Sequence, residues 1–233
     1  MKIAKSMTAA VTAVVLSAGI AGFPVSGHAF MDSIAGAITG GDEKKSGKPI
    51  GEQAEDVRVL LGLATNHFID AAQVVAEAVE DNEEVMKAAS TLTDLCKNGD
   101  DACVKGNTDF ESKISGKKID FSKLSKEKAL KALLDVSLAG VYDKRAIDAG
   151  GDLMDNASAT DLTDSAVSSA VSMYKDFASL LPQHIELGAG WIDGLTTYLK
   201  DQNIDMSEVS TEVAKAEDVS PSEAKGAEDV FPG

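Results

Sequence analysis

Few side chains in this chain can do chemistry. Beyond residue 29 it has two histidines, His67 and His184, and two cysteines, Cys96 and Cys103. His67 lies beside an apolar stripe, one turn from Leu63 and Ala71, with Asp70 three residues on. At that spacing an imidazole and a carboxylate share a helix face and can pass a proton or hold a metal. A satisfied, partly buried histidine is the commoner outcome. His184 follows Pro182, and Glu186, two residues further, falls on a different face. With no H-x-x-x-H pair the histidines make no metal-ligand pattern, so neither a metal nor a cofactor is expected.

Cys96 and Cys103 flank Lys-Asn-Gly-Asp-Asp-Ala. Their spacing is not C-x-x-C, which argues against a redox motif, and a close, even pair in an oxidising compartment reads as a disulfide. It would staple a Gly-containing loop at the end of a helix. Asp148, Asp152 and Asp155 stand at i, i+4 and i+7 around Gly150-Gly151. On a helix they would line one face and repel, a strain that Ca²⁺ would relieve. The D-x-D-x-D-G loop spacing is missing there, as it is at Asn98-Gly99-Asp100-Asp101. No G-x-S-x-G, H-E-x-x-H, G-x-x-x-x-G-K-[ST] or G-x-G-x-x-G occurs. A catalytic carboxylate pair is assembled in space, and 38 acidic residues give no way to choose one. The expectation is a non-enzymatic protein.

Composition narrows the class further. The formal charge is −16, too acidic for a nucleic-acid binder, which needs a basic face, and 44% hydrophobic residues suffice for a packed core. No internal run of about 18 apolar residues is evident, so no membrane span is expected after the N-terminal segment.

Residues 1–29 have the order of a bacterial secretory signal peptide. Lys2 and Lys5 precede an apolar stretch from Met7 to Ala21, and Gly27-His28-Ala29 supplies small residues for cleavage. An uncleaved anchor is the rival reading; the short stretch, interrupted by Thr8, Thr12 and Ser17, favours cleavage near Ala29. The protein is therefore expected in the periplasm or secreted. Cleavage removes two lysines and no acid, shifting the formal charge from −16 to −18.

The elements that must position these groups are helical. Residues 30–49 comprise a short amphipathic piece, Phe30 to Ile38, and a Gly-rich polar linker. Apolar residues then recur at steps of three and four from Glu52 to about Asp81, and again from about Asn82 to Lys97. Residues 104–124 lack a clear period and read as an irregular insertion, with a small hairpin as one option. Lysines concentrate there: seven lie between Lys113 and Lys131. Ser125 is a good N-cap for a helix running through Leu130, Leu134 and Tyr142 toward Gly150-Gly151. A further helix starts near Thr160 or Asp161, and Pro182 is expected to end or kink it before a last helix to about Lys200. The tail, 206–233, is acidic and poor in large apolar residues, and is expected to be disordered.

This predicts one all-α domain over 50–205, a bundle of about five helices. Two functions fit it. One is an envelope adaptor that acts through its surface on another protein. The alternative is a periplasmic carrier for a hydrophobic small molecule such as a lipid, with His67, Tyr142, Tyr174, Trp191 and Tyr198 lining a pocket between helices.

Overall fold

The computed structural model describes residues 47–223. The signal peptide read in 1–29, the piece from Phe30 to Ile38 and residues 224–233 lie outside the described residues. Among those described there are six α-helices, three short 3-10 turns and no strand. The all-α expectation holds.

Helix α1, Ile50–Ala78, starts after Pro49 and buries Val57, Leu61, Ala64, Phe68, Ala71 and Val75, the stripe that its sequence period marks. By length and composition α1 could cross a membrane, contrary to the expectation from apolar runs, but 67% of its most apolar window is buried against the rest of the fold. Small residues on that stripe let α4, Lys126–Asn156, lie close along it, and this is the most extensive helix pairing in the structure. The Ser125 hydroxyl caps α4 by accepting from the Lys128 N–H at 3.2 Å. Burial of each large apolar side chain contributes roughly 1.5–3 kcal/mol, which is what holds the pair together.

Helix α2, Glu83–Lys97, ends where expected, at Asn98-Gly99. Gly99 has φ +116°, a backbone conformation that side chains with a Cβ rarely adopt, and the chain turns there straight into α3, Asp100–Ile114. The irregular insertion expected at 104–124 is thus mostly a helix. Its period is hidden because two of the positions that face the core, Asn107 and Glu111, are polar; Cys103, Phe110 and Ile114 complete the buried face. The rest of the insertion returns along α1. Val79 and Ile119 form a single antiparallel bridge, with Glu80 N–H donating to the Lys118 carbonyl and Asp120 N–H to that of Ala78.

Helix α5, Ser165–Asp201, is the longest, and two expectations fail in it. Its N-cap is Asp164, whose carboxylate accepts from Ala166 N–H at 2.8 Å, while Asp161 belongs to a preceding 3-10 turn. It also continues through Pro182, so the two helices expected on either side of the proline are one element, and of the two outcomes expected there it is the ending of the helix that does not occur. Proline removes one backbone hydrogen bond, but Phe177, Leu180, His184 and Ile185 are buried on either side and keep both halves in place. Finally, residues 207–218 of the expected disordered tail form α6, Ser207–Asp218. Its Val209 and Ala216 are buried, and it packs on α4. Arg145 of α4 donates to the carbonyls of Ala216 and Val219, both at 2.6 Å, satisfying acceptors that a helix C-terminus leaves open.

Candidate functional site

The expected disulfide forms: Cys96 and Cys103 join the end of α2 to the first turn of α3. Both are buried, and Asn107 lies beside them, its side-chain amide donating to the Cys103 carbonyl at 2.9 Å. The bond is structural in its setting, sealed in the core.

His67 pairs differently from its sequence spacing. Asp70 is held by Lys131 of α4 at 2.9 Å, and His67 Nδ1 instead lies 3.2 Å from Asp135 Oδ1. Asp135 is buried and receives the same lysine on its other oxygen at 2.7 Å. Burial works against the Lys131 charge, yet hydrogen bonds to Asp135 and Asp70 outweigh it and hold the ammonium above its usual range. The His67 ring stacks on Tyr142, centroids 5.8 Å apart and 8° from parallel, and the Arg145 guanidinium lies 6.0 Å from the centroid of the Tyr142 ring, within cation–π range.

The five expected pocket residues have largely separate contacts among the described residues. Trp191 is 2% exposed and packs in the aromatic core. The Tyr198 hydroxyl donates to the Leu124 carbonyl at 3.0 Å, and the Tyr174 hydroxyl to that of Ile147 at 3.4 Å. Of the five, only His67 and Tyr142 are brought into ring contact with each other. Neither of the two cavities described below is lined by any of them.

A buried cluster of titratable groups surrounds His184, which is not one of the expected pocket residues. His184 of α5 is 3% exposed and its Nε2 stands 2.9 Å from Oε1 of Glu111 in α3, which is 1% exposed. The approach is close but lacks the alignment of a directed hydrogen bond. Asp143 of α4, 6% exposed, is the third member. Burial pushes its carboxyl up, His184 partly offsets this and Glu111 adds to the rise, leaving it at about 6. Phe68 stacks on the imidazole at 4.0 Å and on Trp191 at 5.4 Å, while Phe110 and Phe177 meet the group edge-on. Asp143 and His184 share with Phe68 and Val136 a cavity of about 10 Å³, at the lower limit for one water. Two carboxylates and an imidazole can exchange a proton there, but the space admits no substrate. Among the described residues no group of three His, Cys, Asp or Glu is placed to hold a metal ion.

A second, open cavity of about 330 Å³ lies between α1, α4 and the segment after α6. Gln53, Asp56 and Leu60 of α1, Arg145, Asp148 and Asp152 of α4, and Pro221 line it. Asp148 is held above the usual carboxylate range by burial, with Lys144 opposing and the like charge of Asp152 adding to it. The lysine concentration is less open than its sequence suggests: Lys113, Lys118, Lys128 and Lys131 are paired with Asp109, Glu80, Glu77 and Asp70. Comparison with protein-family models, with curated proteins and with solved structures finds nothing that matches this chain.

Proposed function

We propose that the protein is an exported, non-enzymatic component of the bacterial cell envelope, a helical bundle that acts by binding a basic segment of another protein. The observation that carries this reading is the open groove between α1 and α4. Its cations are already engaged, Lys48 by Asp56 and Arg145 by two carbonyl groups. Asp148 and Asp152 stand one helical turn apart on its wall and repel each other. A lysine or arginine from a partner would relieve that repulsion, and a chain of charge −16 draws basic partners at long range. The signal-like order of residues 1–29 and the Cys96–Cys103 bond support export.

The test is titration of isotope-labelled protein with a Lys/Arg-rich peptide, followed by NMR. Shifts should concentrate at Gln53, Leu60 and Ala149, and D148N/D152N should weaken binding at least tenfold. E83Q/E84Q, which removes two exposed acids at the start of α2, should leave it nearly unchanged. Equal weakening by the two pairs would reduce the groove to one part of a diffuse acidic surface and sink the proposal. The carrier alternative gains no apolar chamber from the two cavities. Its test is a native mass spectrum, in which a solvent-removable extra mass of lipid size would restore it.

A further inference from the structure

Glu111, His184 and Asp143 come from three different helices and meet away from solvent, each less than 10% exposed. Asp143 Oδ1 and His184 Nδ1 have no hydrogen-bond partner among the described residues, and both side chains line the same small cavity. The remaining wall is apolar, with Phe68, Val136, Ala139 and Ile185. In such a medium one imidazole can answer one carboxylate, and His184 already lies against Glu111. The second carboxylate is left to take a proton or remain as an uncompensated buried charge. The charged groups bearing on Asp143 are His184 from α5 and Glu111 from α3; α1 adds only the uncharged Phe68 ring, its own His67 being engaged by Asp135 and Tyr142.

We propose that Glu111, His184 and Asp143 form a buried proton-binding site in which a proton on Asp143 of α4 strengthens the tie between α3 and α5, and its loss loosens that tie. With Asp143 neutral, His184 belongs to Glu111 alone, and α3 is held to α5 through the core. With Asp143 ionised, two carboxylates compete for one imidazole and the hold on Glu111 weakens. Nothing in this depends on the groove.

The experiment measures urea unfolding of the full chain from pH 4 to 7.5, for the parent and for D143N, whose amide copies the neutral carboxyl in shape and charge. The Asp143 carboxyl lies at about 6 in the fold against an ordinary 3.8, so the folded state binds more protons between those limits. Stability from this group is therefore present at low pH and lost as pH rises through about 6. Relative to D143N, the parent's folding constant should fall roughly a hundredfold across that range. Hydrogen exchange should show protection of α3 declining above pH 6 in the parent and holding in D143N. A parent-to-variant ratio that is flat with pH would overturn the site, as would a D143N chain that cannot fold. Carboxyl ¹³C titration of the unmodified protein supplies an independent reading: a midpoint for Asp143 in the ordinary carboxylate range also overturns it. Unchanged α3 protection would overturn the coupling.

Discussion

Replacing Arg145 by methionine isolates what keeps α6 on the fold. Twelve residues are too few for a helix to persist alone in water, so α6 depends on its docking. Two attachments are visible: burial of Val209 and Ala216, and the Arg145 fork onto the carbonyls of Ala216 and Val219. Methionine keeps most of the apolar stem and removes both donors. A hydrogen bond to a charged group contributes about 1.5–3 kcal/mol net, and this arginine is partly exposed, so the lower end applies to each. The pair then amounts to about 3 kcal/mol, or roughly a hundredfold in the equilibrium between docked and detached α6. Hydrogen exchange resolved to Ser207–Asp218 should show protection dropping by about that factor in R145M. The core helices α1 and α4 should change little, because α6 lies outside their pairing. R145K should fall between, since an ammonium keeps the charge but not the planar fork. Protection of α6 that is unchanged in R145M would refute the reasoning and make apolar burial the whole of the attachment.

Other perturbations test separate features. C96A/C103A should lower stability by about 2–3 kcal/mol in chemical denaturation, from the loop entropy returned to the unfolded chain; no change would mean that α3 docks without help. G150A should destabilise by about 1–3 kcal/mol, since a Cβ there would stand 2.2 Å from the Tyr174 ring, and a shift in Tyr174 fluorescence or NMR resonances should accompany it. Asp148 is held above its ordinary range, so its ionisation opposes folding above that range; D148N should be more stable than the parent at pH 7 and lose this advantage as pH falls through the ordinary carboxylate range. Y198F removes the hydroxyl that donates to Leu124 and should cost about 1 kcal/mol in thermal or urea unfolding.

Much of the fold could be read from apolar period alone. α1 and α4 carry unbroken stripes of small and aliphatic residues, and their pairing follows from those stripes. The start of α4 was legible in Ser125 because a hydroxyl before a helix has one clear use. Pro182 misled for a physical reason: a proline costs one hydrogen bond locally, whereas whether a helix ends depends on how much core lies beyond it. The same competition explains α6. Its composition is that of a disordered tail, and what orders part of it is an arginine 71 residues from its nearer carbonyl partner, in another helix.

The site was hidden by the property that makes it notable. Along α3 the core-facing positions run Cys103, Asn107, Phe110, Glu111 and Ile114, a helical spacing that a search for apolar period discards because two members are polar. Taking spacing before polarity recovers the helix and at once flags Glu111 as a carboxylate in a core position. Asp143 follows the same rule: it lies between buried residues of α4, one turn from Ala139 and Ile147. His184 then supplies the opposite charge from α5. A carboxylate at a core position is destabilising unless something answers it, and here one imidazole answers two. The local conflict in α3 and the unbalanced charge in the interior are one observation seen at two levels, and the imbalance is what makes the interior of this protein answer to pH.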